Sequence, residues 1–208
     1  MRTDARVRSS DTEPLDRLRA FARVQVRSGF LDDAQVHEEV VEAAREDLSR
    51  GPDDAQRLAQ QVVAAEIAAL EEEQSDWPET TEFDRLEAAF AELEQQGLLV
   101  LRAVEDHWDA TAALTRLDEA GQQVRGVLFF THTDVWHAVD HGMLELNLWH
   151  GDTANVAGGD ELLGLVLTVL DRYGIPGVFD EGRIEATLTW RRRREQPAGW
   201  ASPPTMER

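Results

Sequence analysis

Residues 124–150 read VRGVLFFTHTDVWHAVDHGMLELNLWH, and two textures within them decide the fold class. Residues 124–130 form a nearly unbroken apolar run. A run this short reads as an interior strand covered on both faces. Residues 143–150 alternate instead, with Leu144, Leu146 and Leu148 on one side and Glu145, Asn147 and Trp149 on the other. A period of two predicts a strand with one apolar and one more polar face. Between them, Thr133 or Asp134 can cap a short helix reaching Asp140, which Gly142 can close. A strand, a helix and a strand in one short stretch indicate an α+β fold.

The pattern extends in both directions. Downstream, 151–159 reads as a loop, and Asp160 can cap an apolar helix over 161–173, stopped by Gly174 and Pro176. Residues 178–190 read as a hairpin turning at 180–182, with Ile184, Ala186, Leu188 and Trp190 as its buried face. Upstream, 98–104 reads as a strand and 106–120 as a helix ended at Gly121. The expected core is a mixed or antiparallel sheet of four or five strands from residues 98–190, with helices packed on it.

Residues 13–97 have helical texture. Leu15, Leu18 and Phe21 suggest a first helix closing near Gly29. Val36, Val40, Ala44 and Leu48 mark a second, capped by Asp32 or Asp33. Leu58, Val62, Ala65 and Ala69 mark a third, capped by Asp53 or Asp54 and broken at Trp77-Pro78. Phe83, Leu86, Phe90 and Leu93 mark a fourth, begun by Thr80 or Thr81 and stopped by Gly97. Each stripe is apolar on one side, so each helix must bury that side against a neighbour. The expected organisation is a flexible tail over 1–12, an acidic helical region over 13–97 and an α+β region over 98–190, the last two packed as one unit. An Arg- and Pro-rich loose tail over 191–208 follows.

Several of these residues carry a family resemblance. Trp77-Pro78-Glu79-Thr80, then 84–90 (DRLEAAF), Leu93 and Gly97 resemble the signature of an uncharacterised domain-of-unknown-function family of high-GC bacteria. Residues 126–130, Asp134, Ala138-Val139, Leu144, Leu146 and Gly151 are similar to its second block, and Trp190-Arg191-Arg192 to its end. The likeness covers roughly residues 20–192 and implies no established activity. The family pattern places a cysteine cluster after the strand that begins near Leu98. Residues 102–114 hold no cysteine here, so a metal or redox role resting on that cluster is not implied for this chain.

Composition excludes several chemistries. With no cysteine there is no disulfide, thiolate metal site or cysteine nucleophile. With no lysine there is no Schiff-base amine and no phosphate-binding Gly-x-x-x-x-Gly-Lys loop. No serine sits in Gly-x-Ser-x-Gly. No apolar run approaches the roughly 18 residues that cross a bilayer. The first ten residues carry Arg2, Arg6 and Arg8 without an apolar stretch, so a secretory leader is not expected and a cytoplasmic location is.

The net charge of −20 is uneven: residues 31–123 hold twenty-five acids against six arginines, while 1–30 and 191–208 are mildly basic. Such a field repels nucleic acid and anionic membranes. It suits a solvated helical face, a basic protein partner, or an imitation of nucleic acid.

The candidate chemistry is concentrated. Five of the six histidines lie within residues 107–150. His137 and His141 are four apart and share a helical face, so His132, Asp134, His137 and His141 form a candidate divalent-metal set, although the helical His-Glu-x-x-His pattern is missing. Capping and solvated roles are the simpler account of the same residues. Asp134, Trp136, Asn147, Trp149 and His150 form a candidate ligand or partner surface, with Trp149 either open to a ligand or covered by a helix. Glu105, Asp106, His107 and Asp109 are a second small cluster beside Trp108, or a solvated helix start. The function these features favour is a non-catalytic protein-binding or regulatory module without a cofactor, whose partner is a protein of basic character. The alternative is a metal-dependent hydrolase built on the histidines of 132–150.

Overall fold

The computed structural model describes residues 5–195, with side chains from residue 13 onward. The chain divides after Trp77, and the segment that begins at Arg193 belongs with the first unit. Each unit follows from its own sequence pattern.

The first unit is three helices: α1 (Ala5–Ser28), α2 (Asp33–Asp47) and α3 (Pro52–Gln74). Leu18, Ala22 and Val26 of α1 meet Val36, Val40 and Ala44 of α2 in one apolar cluster. The expected stripe of α2 is thus the buried one. Asp32 caps α2 through a capping box with Gln35, their reciprocal bonds being 2.8 and 3.0 Å. The face of α3 differs from expectation. Ala65 and Ala69 are exposed, while Ala55, Ala59, Val62, Val63 and Leu70 are buried. An alanine-rich helix has little contrast between its sides, so its rotational phase is weakly encoded. Its start differs as well: Pro52 opens the first turn, and Asp53 and Asp54 lie inside that turn rather than capping it.

Both expected tails change. Helix α1 begins at Ala5, so the flexible segment assigned to 1–12 is helical from residue 5. No apolar stripe marks that turn in the sequence. At the other end, Arg194 pairs with Asp33 at 2.9 Å and with Glu71 at 3.4 Å, and Arg193 lies over the Trp77 ring at 5.9 Å. Arg193 and Arg194 are therefore held rather than loose, by the Trp77 ring and by the acids of α2 and α3. The rest of that assigned tail, 196–208, lies outside the described residues.

The second unit begins with α4 (Glu82–Gln95), which therefore belongs with the sheet and not with the preceding helices. Its stripe Phe83, Leu86, Phe90 and Leu93 is buried, and Phe90 stacks on Phe130 at 6.0 Å. Loss of a buried ring like Phe90 to alanine costs about 3–5 kcal/mol. The remaining elements are β1 (Leu98–Val104), α5 (His107–Glu119), β2 (Gly126–Thr131), α6 (His132–His141), β3 (Met143–His150), α7 (Glu161–Arg172), β4 (Gly177–Asp180) and β5 (Arg183–Thr187). They make a five-stranded mixed sheet of order β1-β2-β3-β5-β4, in which only β1 and β2 are parallel. The α+β reading of the sequence is correct.

One sheet face is closed. Leu128 pairs with Leu148, Leu146 with Ile184 and Leu144 with Ala186, all buried together with the apolar side of α7. Gly126 is required there, because a Cβ would stand 2.5 Å from the Trp149 carbonyl oxygen and 2.6 Å from Leu162. The opposite face is covered only in part. Ala110 and Leu114 of α5 pack with Val127 and Phe129, joined by Leu99, Leu101 and Trp149. The far side of that face, on β3, β5 and β4, carries Glu145, Asn147, Arg183, Glu185 and Val178, with Val178 65% exposed.

Candidate functional site

Strand direction sets the geography of the site. The parallel strands β1 and β2 finish at the same end of the sheet, so α5 and α6 both start there. Strand β3 runs the other way and starts at that end. Trp108, Asp134 and Glu145 therefore belong to one end of the sheet. His150 closes β3 at the other, seven residues beyond Met143 and so about 23 Å from that strand's start.

Helix α6 is fixed by Thr131, not by Thr133 or Asp134. The Thr131 hydroxyl accepts from the Asp134 amide at 3.3 Å, and Asp134 Oδ2 accepts the Thr131 amide at 2.7 Å and its hydroxyl at 2.8 Å. Asp134 is the third residue of the capping box. Burial raises its carboxyl above the usual value, the Thr131 bonds work against that, and Glu145 adds to the rise. Gly142 closes the helix in the left-handed conformation, at φ 70°, as expected.

The proposed metal set does not assemble. The His137 and His141 rings lie side by side at 5.9 Å, but both residues are exposed and Asp134 is committed to the cap. Among the described residues no group of three or more histidine, aspartate or glutamate side chains is placed to hold a metal ion. Side chains one helical turn apart share a face, but convergence needs a third ligand from another element, and His132 does not supply it.

The proposed ligand or partner residues separate into two groups. Asp134 and Asn147 border the open sheet face. There Glu145 stands opposite Glu185 and Asn147 opposite Arg183, and Arg183 Nη1 donates to Glu145 Oε2 at 2.6 Å. That bond, with the charge of Glu145, raises the Arg183 guanidinium pKa. Trp136 on α6 is half-buried, and its indole N–H is buried without an acceptor among the described residues. Trp149 meets Phe129 edge-on at 4.7 Å in the cluster beneath α5, so most of its surface is already used.

His150 belongs to the other end. Its Nε2 lies 3.1 Å from Asp160 Oδ2, which also accepts the Ala157 amide at 2.7 Å. The Ala157 bond and then the His150 contact hold the Asp160 carboxyl below its usual value. His150 lines an open groove of about 670 Å³, with Asp118 and Gln122 on one wall and Asp152 and Thr153 on the other.

Several residues here escaped the sequence reading. Arg102 of β1 reaches Glu87 at 3.1 Å and Glu94 at 2.9 Å and lies over the Phe90 ring at 5.3 Å, tying α4 to β1. Burial raises the Glu87 pKa despite Arg102. Burial alone would lower Arg102, but Glu87 and Glu94 outweigh it and the net change is upward. Glu145 was visible as a polar position in an apolar alternation, whereas Glu185 and Arg183 depended on strand register. Trp108 was visible, but its exposure of 66% was not.

Among the described residues no helix is long and apolar enough to cross a membrane. No curated protein and no solved structure matches the chain. The sequence model of one family, described as a domain of unknown function, matches residues 11–194, and the chain therefore belongs to the DUF6891 family.

Proposed function

We propose that the protein is a non-catalytic, regulatory protein-binding module whose partner is a basic protein. The observation that carries this reading is the pairing of Glu145 with Glu185, both half-buried, on the partly covered sheet face. Directly opposed like charges destabilise a sheet. Arg183 bonds only one of the two, while Asp134 and the exposed Asp180 add to the same negative field. A surface that keeps such a pair holds a local potential that a cationic surface relieves on docking. The net charge of −20 supports the same partner chemistry at long range.

Capture from a native lysate tests this. The immobilised full chain should enrich one set of basic proteins at low salt and lose it as salt rises. An E145Q/E185Q variant should lose the same set while keeping its fold. Enrichment that survives the double substitution, or no enrichment at low salt, contradicts the proposal.

A further inference from the structure

The start of α5 carries an exposed aromatic side chain on an acidic segment, Glu105 to Asp109. Trp108 is 66% exposed, one of two large hydrophobic residues so open among the described residues. A tryptophan left in water forgoes the burial that its large apolar ring would gain in a core or an interface. Nothing in the local fold requires one at this position: Ala110 and Leu114 form the buried side of α5.

Its surroundings are rigid and negative. The Asp106 carboxylate accepts the Trp108 amide at 2.7 Å, and Asp109 accepts the Glu105 amide at 3.0 Å. Each carboxylate uses one acceptor position in that bond and retains others. The His107 ring lies 4.6 Å from the indole, tilted by 38°, against one side of it. Glu105, Asp106, His107 and Trp108 are all exposed. These residues stand at the end of the sheet to which Asp134 and Glu145 belong.

We propose that Trp108 is the anchor of the interface, and that an arginine side chain of the basic partner stacks on its ring while Glu105, Asp106 and Asp109 bond the guanidinium. Charge complementarity selects the occupant. An exposed ring on a segment that carries Glu105, Asp106 and Asp109 disfavours an acidic partner segment and rewards a flat cation. Arginine fits better than lysine because its planar group stacks and donates sideways at the same time. The assignment rests on the protein-binding reading above and names the residue that carries most of it.

The test uses the full chain with nona-arginine and nona-lysine peptides as probes, titrated calorimetrically at low salt. Wild-type protein is expected to bind nona-arginine more tightly than nona-lysine. W108A is expected to lose about tenfold in affinity for nona-arginine and to erase the difference between the peptides. Because the side chain is exposed, W108A should keep the wild-type circular dichroism and melting temperature. W108A binding nona-arginine like the wild type overturns the anchor while leaving the wider reading standing. Wild-type protein that binds neither peptide overturns both. Sedimentation of the free chain gives a further check: a dimer abolished by W108A would assign the ring to a second copy and overturn the proposed occupant.

Discussion

Glu145 on β3 stands directly opposite Glu185 on β5, and only Glu145 receives the bond from Arg183. The pair should therefore be a net cost to the isolated protein. Replacing Glu185 by glutamine is expected to stabilise the fold by about 0.2–1 kcal/mol at low salt. The gain should shrink as salt screens the pair. Urea unfolding of both proteins at two salt concentrations checks this. A loss of stability on E185Q would show that the pair is not repulsive.

Asp134 and Asp160 should bend the pH profile of stability in opposite directions. Asp134 has its pKa raised by burial, so its contribution is fully present below the ordinary carboxylate range and is lost as pH rises through the raised value. D134N should therefore flatten the profile just above pH 4, the ordinary range for aspartate. Thr131→Ala removes the hydroxyl that caps the helix and bonds the Asp134 carboxylate, so it should cost about 1 kcal/mol, and more above the Asp134 pKa than below it.

Asp160 has its pKa lowered, first by the Ala157 amide and then by His150. Its contribution is present above the ordinary carboxylate value and is lost as pH falls through the lowered one. D160N should make the acid limb of the unfolding curve shallower. Chemical denaturation between pH 2 and pH 6 resolves the two aspartates, since the windows lie on opposite sides of about pH 4. The same slope in D160N as in wild type would count against the Ala157 and His150 contacts that hold the Asp160 carboxyl down.

The turn between β4 and β5 carries local strain. Asp180 pairs with Arg183, leaving Glu181 and Gly182 as a two-residue loop with φ of 42° and 94°. Both positive angles suit a type I′ turn, for which Asn-Gly is the preferred pair. Glu181→Asn is expected to stabilise the protein by roughly 0.5–1 kcal/mol, read as a rise in melting temperature. An unchanged or lower melting temperature would contradict this account of the turn.

How much the sequence disclosed depended on contrast. Residues 143–150 alternate sharply, and β3 occupies those residues. Residues 126–130 are apolar throughout and are buried on both faces. Where contrast was low, the reading slipped. Alanine-rich α3 turned by part of a revolution, and the first turns of α1 left no trace. The boundary after Trp77 was hidden because α4 looks like its helical predecessors, and its partner, the sheet, is encoded later in the chain. The candidate site suffered from the same limit. Spacing showed that His137 and His141 share a helical face, but not whether a third ligand arrives from elsewhere. Glu185 became part of the site only through its register with Glu145.

The most direct measurement is the hydrogen-exchange footprint of the captured partner on this chain. Added protection is expected at the start of α5 around Trp108, at the start of α6 around Asp134, and on β5 between Arg183 and Glu185. Protection confined to α2 and α3, or no protection with the partner at saturation, would contradict docking at this end of the sheet.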